Sequence, residues 1–508
     1  MNTFLNEMKN DANYKLTENG GVAVRSTMNA VYDMFALCGA YRSRFNEDCI
    51  RMFKNAYEEN KDLALKCLFY LGDCRGGQGE RRYFRVCFSW LAENYPKVAT
   101  KLIREIPTFR RWDDVLYSCV GTHIEKDALE FIKEQLIIDM QCKTPSLLGK
   151  WLPSENASSK ETRRMGNIVR KYLNITHKNY RQLLSKLRSQ INIVEKLMSE
   201  NRWNEIEFDK IPSRAGLIYK NAFARRDLIA KKYEAFAKDE NTKVNAAVLY
   251  PYEVVEQALR NYSHWGSYRQ LEGTDRAMIN KYWANLPDYF DGKQSNMLCV
   301  VDTSGSMVGT PLNVAISLGM YAAERAGGPF KNHYISFSSR PQLIAIDGID
   351  FVDSVRRIYR TNLCENTDLT KTFDMLLEIA DRPDTKEEDI PETIVVISDM
   401  EIDEGSVGRE YNWEMRKYVY NNHNWNSNNI DTEMEKVRQK WAAHGHKMPR
   451  LVYWNVDARH NTILDRGPNV SLVSGMSPVI FKQVITGKTG MDLMLEALNS
   501  DRYKNIHA

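Results

Sequence analysis

Up to about residue 290 the hydrophobic positions recur at helical spacing, and beyond it they condense into short apolar runs. Val31, Met34, Phe35, Leu37 and Cys38 fall on one helical stripe, and Leu63, Leu65, Leu68, Phe69 and Leu71 continue the style, as do Val86, Phe88, Trp90 and Leu91. Breakers keep the segments short: Gly76-Gly77-Gln78-Gly79, Pro96, Pro107, Gly121, Pro145, Pro153, Pro212, Pro251 and Gly273. Many short paired helices without a strict period predict an all-α, HEAT-like superhelical array, which offers curved surfaces rather than a pocket. The expected domain covers 22–292, after a loose polar arm over 1–21 that ends at Asn19-Gly20-Gly21. Leu286 to Lys293 reads as the linker.

From 293 to 508 the pattern is α/β. Asn296-Met297-Leu298-Cys299-Val300-Val301 runs unbroken into Asp302, and Glu392-Thr393-Ile394-Val395-Val396-Ile397 runs into Ser398-Asp399. Such runs, bounded by turn residues, predict central strands of a parallel sheet buried on both faces. Tyr334 to Phe337 and Gln342 to Ile346 read as a hairpin turning at 338–341, the antiparallel edge of that sheet. Covering helices are expected over Phe351–Tyr359 and Leu369–Ala380, last strands over Leu451–Val456 and Val470–Val473, and closing helices from Val479 and Met491. The polar stretch 401–430 exceeds an ordinary loop and reads as a lid or part of an interface.

In such sheets ligands bind beyond the carboxyl ends of the strands. Asp302-Thr303-Ser304-Gly305-Ser306 stands at one such end and offers a carboxylate and two hydroxyls, the oxygen donors a hard divalent cation takes. The same residues could simply cap the next helix. Two further loops weigh toward a metal: Glu365-Asn366-Thr367-Asp368 before a helix, and Asp399 after the second strand. Side by side they would gather Asp302, Ser304, Ser306, Thr367 and Asp399. This set resembles the metal-ion-dependent adhesion site (MIDAS) of von Willebrand factor A domains, with all five positions present. The resemblance implies a Rossmann-like domain and Mg²⁺ (or another divalent cation) held by the two serines and the threonine, the aspartates acting largely through water. It also implies an open coordination position for an acidic residue of a partner protein.

Net charge is only +4 over 508 residues, but it is unevenly spread. Residues 150–232 hold 19 Lys and Arg against 8 Asp and Glu, or +11, which leaves 51 against 58, or −7, for the rest. Concentrated positive charge favours a polyanion, because binding releases condensed counterions; the alternative is a solvated helical face. No apolar run of about 18 residues predicts a membrane span. The start lacks signal-peptide character, and nine scattered cysteines without a CxxC argue against a disulfide framework or zinc module. The chain reads as cytoplasmic, reduced and monomeric. Neither HExxH nor GxSxG occurs, and the nine histidines are dispersed, so no enzyme is expected and no catalytic residue is assigned.

Local chemistry in the helical part is basic. Arg75-Gly76-Gly77-Gln78-Gly79-Glu80-Arg81-Arg82 reads first as a glycine-rich helix corner; its exposed backbone N–H groups and three arginines at a helix start also suit phosphate, and both roles can hold. After Lys150-Trp151-Leu152-Pro153-Ser154 come Lys160, Arg163, Arg164, Arg170, Lys171, Lys178 and Arg181, with Tyr172 and Tyr180 among them. Basic groups beside aromatics suit single-stranded nucleic acid, although tyrosines in helical arrays are commonly core residues.

Gly72-Asp73-Cys74-Arg75-Gly76-Gly77-Gln78-Gly79-Glu80-Arg81 resembles the "RD-RGG-GER" stretch of TROVE/Ro-autoantigen-like proteins, and Phe109 to Leu116 their "GyWkDL" segment. Lys150–Ser154 and Ser398–Glu401 are similar to one branch of that group, in which a helical ring precedes a von Willebrand A domain. The chain departs from the pattern at Cys74, where an isoleucine-like residue is usual, and over the arm 1–20. The resemblance implies an RNA-binding scaffold, a ring holding small noncoding or single-stranded RNA, with the A domain docking a partner. The alternative is a protein–protein adaptor that grips an acidic residue at its metal site without RNA.

Overall fold

The computed structural model describes residues 12–191, 193–260, 271, 273–337, 341–361, 368–403, 409–412, 417–420 and 432–508. Two compact units emerge, and they do not follow the linear boundaries at 21 and 292. One takes the described parts of 1–44, 250–269 and 288–500; the other takes 45–249, 270–287 and 501–508.

The first unit is built on a six-stranded sheet. The apolar run Met297–Asp302 (β3) is buried at every position, as is Thr393–Ser398 (β6). Both lie in the middle of the order β10-β9-β6-β3-β4-β5, as fully apolar strands must when helices cover both faces. The others are His333–Phe337 (β4), Gln342–Ala345 (β5), Arg450–Asn455 (β9) and Val470–Ser474 (β10). All neighbours pair in parallel except β4 and β5, so the antiparallel edge is where the hairpin pattern placed it; its turn at 338–340 lies outside the described residues. The helix Thr310–Arg325 returns the chain from β3 to β4 and lies so close to the sheet that a Cβ on Gly319 would stand 2.5 Å from Val301 Cγ2. After β5 the chain crosses to the other side of β3 and enters β6. The direction of winding therefore reverses at β3, which opens a crevice at its carboxyl end.

The described part of the expected loose arm is ordered. Tyr14–Leu16 (β1) pairs antiparallel with Val22–Val24 (β2), and Val24 and Ile463 exchange backbone hydrogen bonds of 2.9 and 3.0 Å. Ala23 and Val24 are fully buried, and Thr17 Oγ1 donates to the Ile402 carbonyl at 2.6 Å. The partners that satisfy this backbone lie hundreds of residues away, so a short polar segment carries no local sign of them. The helix Ala30–Leu37 follows and packs on β10: Leu472 N donates to Tyr32 Oη at 2.9 Å, and Ser474 Oγ to the Phe35 carbonyl at 3.0 Å. Within 401–430, Arg409–Asn412 (β7) and Lys417–Tyr420 (β8) form an antiparallel ladder.

The second unit is helical, as its periodicity predicts. Asn60, Ser159 and Thr176 each cap the helix that follows by accepting from the backbone N–H three residues on. Helices Asn46–Glu59, Lys61–Gly72, Arg81–Asn94 and Asp113–Cys119 pack against their chain neighbours, the arrangement of a repeat array. Phe69, Phe84, Phe88 and Phe109 form an edge-to-face and stacked cluster, closed by Tyr503, whose ring stacks on Phe109 at 5.4 Å. Among the described residues no helix is long and apolar enough to cross a membrane.

Candidate functional site

Strand register brings the two acid-bearing strand ends together. β3 and β6 are parallel neighbours with Val301 opposite Ile397, so Asp302 and Ser398 emerge side by side. Ser398 Oγ donates to Asp302 Oδ2 at 2.6 Å, and Ser304 N to Asp302 Oδ1 at 2.9 Å, which fixes both carboxylate oxygens. Ser304 Oγ and Ser306 Oγ lie 3.0 Å apart. On β6 the turn after Asp399 puts Met400 at φ 66°, a left-handed conformation costly for a branchless but bulky side chain, and Met400 N donates to Ser398 Oγ at 2.9 Å. That turn aims Asp399 at the crevice, where Oδ1 accepts from Glu401 N at 3.1 Å.

Asp302 and Asp399 are 0% and 1% exposed. Burial first, and the nearby Asp399 carboxylate second, raise the Asp302 carboxyl to about 7. Two buried acids with serine hydroxyls beside them form an all-oxygen donor set short of positive charge, which fits a hard divalent cation. Four of the five expected ligand positions, Asp302, Ser304, Ser306 and Asp399, thus converge; Thr367 lies outside the described residues. The next residue, Asp368, caps the Leu369–Ala380 helix by accepting from Lys371 N at 3.3 Å.

One participant gave no sequence signal. Arg459, in the loop after β9, donates from Nη2 to Asp399 Oδ2 at 2.6 Å, while its Nη1 stands 3.0 Å from Glu18 Oε2 on the β1–β2 turn. Glu18 also meets His460 Nε2 at 2.8 Å. Glu401, fully buried, accepts from Thr462 Oγ1 at 2.5 Å and from Glu18 N at 2.8 Å. The motif Ser398-Asp399-Met400-Glu401 contained Glu401; Arg459 and Glu18 reach the site only through the fold.

In the helical unit the glycine loop is a corner. A Cβ on Gly77 would stand 1.9 Å from the Tyr70 carbonyl oxygen, so only glycine fits there. Asp73, fully buried, accepts from Arg502 Nη2 at 2.8 Å, from Tyr503 Oη at 2.9 Å and from Arg75 N at 2.9 Å; Arg502 Nε also contacts it. Arg75 itself is exposed, and Arg82 donates to Asn46 Oδ1 at 2.6 Å. Arg81 lies further round, bridging Asp113 and Asp114 at 3.2 Å each.

The basic stretch divides. Lys160, Arg163, Arg164, Lys171, Lys178 and Arg181 are exposed on the helices Lys160–Tyr172 and His177–Gln190. Arg164 is engaged by Glu161, and Arg170 is half-buried with its Nε 2.8 Å from Glu155 Oε1. Tyr180 is 0% exposed and donates to the Pro153 carbonyl at 2.9 Å, so it is core and not a stacking platform. Tyr172 donates to Glu130 at 2.6 Å. Trp151 and Tyr117 do stand among basic groups: the Arg111 guanidinium lies 3.8 Å from the Trp151 ring centre and Arg85 lies 4.2 Å from that of Tyr117. With Arg81, Lys150 and Arg188 they line a cleft of about 400 Å³. Trp151 and Arg111 sat inside sequence motifs; Arg85 and Tyr117 gave no signal.

Two family models, both described as domains of unknown function, match parts of the chain. Residues 296–505 match DUF7788, and residues 17–119 and 146–290 match DUF2828. The uncharacterized protein L728 of Acanthamoeba polyphaga mimivirus is 25% identical over 96% of this chain and 87% of its own length. Among solved structures, the crystal structure of the Deinococcus radiodurans RO (RSR) protein covers 93% of this chain and 87% of that one, at 13% identity and a TM-score of 0.33.

Proposed function

We propose that the protein is a non-enzymatic RNA-binding scaffold whose α/β unit docks a protein partner through Mg²⁺. The observation that carries the RNA reading is the exposed basic surface of the helical unit, where Lys160, Lys171, Lys178 and Arg181 project from neighbouring helices in a segment of charge +11. Exposed lysines and arginines without structural duties are what a phosphate backbone recruits. The resemblance to TROVE/Ro-like motifs supports the same reading.

For the metal, the support is the donor set: the Ser304 and Ser306 hydroxyls and the Asp302 and Asp399 carboxylates would hold Mg²⁺, with Thr367 as the fifth expected ligand. A bound cation would supply an electrophilic position for a partner's carboxylate. This site also favours the second reading, an adaptor that works without RNA. The deciding experiment recovers nucleic acid from the purified full-length protein at low and high salt, and then titrates single-stranded RNA. RNA that co-purifies and is shed by salt is expected; a clean protein that ignores added RNA, yet captures a partner only with Mg²⁺, would leave the adaptor.

A further inference from the structure

We propose that the cleft framed by Arg81, Arg85, Arg111, Lys150 and Trp151 binds one nucleotide of an RNA strand, holding its phosphate among the arginines. The proposal rests on the RNA-binding reading above and names where in the helical unit a strand is gripped.

Charge comes first. The cleft wall carries Arg81, Arg85, Arg111, Lys150 and Arg188 against one carboxylate, Asp113. Beneath it Asp114 and the buried Arg110 pair with each other at 3.2 Å, so adding them leaves the excess at four positive charges. A network that served only to join two helices would be closer to neutral, because partly buried like charges repel.

Presentation comes next. Asp113 takes Arg111 in a fork at 2.9 and 2.5 Å, and Asp114 takes Arg85 Nε at 2.6 Å. These contacts, with the stacking on Trp151 and Tyr117, hold the guanidinium planes in place while leaving further N–H groups of each arginine available. Arg81, Arg85 and Arg111 side chains remain 36%, 24% and 34% exposed, so a ligand can reach them. Arg81 Nε is buried and has no hydrogen-bond partner among the described residues, a donor that a bound acceptor would satisfy. Preorganised planar arginines match the oxygens of a phosphate.

Size and continuity select the ligand. A volume of about 400 Å³ lies in the range of small-molecule sites, roughly 300–1,000 Å³, and exceeds what a lone inorganic anion fills. A second cleft of about 390 Å³ shares Ser154 and Arg188 with the first and is lined further by Arg181 and Lys196 together with Glu195 and Glu200. Arg188 stands between them, its Nε and Nη2 tied to the Gly149 and Leu152 carbonyls at 3.0 and 2.9 Å. Two clefts one residue apart suit successive units of a polymer better than a free nucleotide.

The test is binding of a fluorescein-labelled single-stranded RNA decamer to the full-length protein, compared across Arg111→Gln, Lys150→Gln and the control Lys97→Gln, an exposed lysine on the helix Pro96–Leu102 outside both the cleft and the basic stretch. The two cleft variants are expected to weaken binding about tenfold, the loss of roughly one charge-assisted phosphate contact, and the control less than threefold. Lys150 makes no ion pair among the described residues, so its variant folds even where Arg111→Gln does not. Crosslinking 4-thiouridine RNA to the wild type is a readout that needs no substitution: adducts on the Lys150–Ser154 or Arg111–Tyr117 peptides are expected. If the wild type binds RNA but the cleft variants match it and adducts fall elsewhere, the cleft proposal fails and the RNA reading stands. If the wild type binds no RNA, both fall. Binding of a nucleoside monophosphate, lost in the cleft variants but without strand binding, would overturn the strand and assign a free nucleotide.

Discussion

Arg459 Nη2 donates to Asp399 Oδ2 at 2.6 Å, so a resident cation already stands beside one of the two buried acids of the candidate metal site. Arginine is charged at every accessible pH, and Asp399 is 1% exposed. The pair supplies part of the positive charge that the acids otherwise lack.

Arg459→Gln should therefore lower metal-free stability by on the order of 3 kcal/mol, because it leaves a buried carboxylate unpaired. Mg²⁺ should restore a larger share of the melting temperature in the variant than it adds to the wild type. Thermal melts in EDTA and in a Mg²⁺ series check this; equal Mg²⁺ increments in both proteins would separate Arg459 from the cation.

The pH dependence follows from Asp302, whose carboxyl is raised from 3.8 to about 7 by burial and by Asp399. A folded-state value above the unfolded one means that the fold favours the protonated form. That contribution is whole below about pH 4 and is lost as pH rises through about 7. Metal-free melting temperature should fall over this window, and the increment from millimolar Mg²⁺ should grow across it as the proton leaves. Asp302→Asn should flatten both trends; a Mg²⁺ increment that is constant from pH 5 to 8 would refute the link.

Asp73 ties the glycine corner to the Asp501–Tyr503 turn, and it does so fully buried. Asp73→Ala should destabilise the helical unit by about 3 kcal/mol, since it strands the Arg502 and Tyr503 donors. Arg75→Ala, two residues on and exposed, should stay within about 0.5 kcal/mol. Urea denaturation followed by circular dichroism distinguishes a structural loop from a purely RNA-facing one.

Replacing Lys160, Lys171, Lys178 and Arg181 together by Gln should reduce the slope of log Kd against log salt for single-stranded RNA by about 0.7 for each phosphate contact removed. The fold should be unaffected, as all four are exposed. An unchanged slope would return this face to the role of a solvated surface.

Much of the fold was legible because local pattern carries it. β3 and β6 are buried at every position, and only an interior parallel strand tolerates an unbroken apolar run ending in an acid. That Asp302, Ser304, Ser306 and Asp399 would lie together was legible for the same reason: strand ends in such a sheet converge. The basic surface was legible as charge, but its aromatic partners were not. Tyr180 looked like a stacking residue by position and is core by packing, whereas Tyr117 and Arg85 form their stacked pair across two helices.

By itself the sequence determined the helical and α/β halves, the order of their elements and the acid-and-hydroxyl set at the strand ends, since spacing of two or three to four residues encodes each of these. Tertiary structure alone decided that Glu18 and Arg459 stand at Asp399, that Arg502 and Tyr503 close on Asp73, and that Arg81, Arg85, Arg111 and Trp151 share one cleft. Those contacts join residues from tens to hundreds of positions apart, and a periodicity read over one or two turns carries no information at that range.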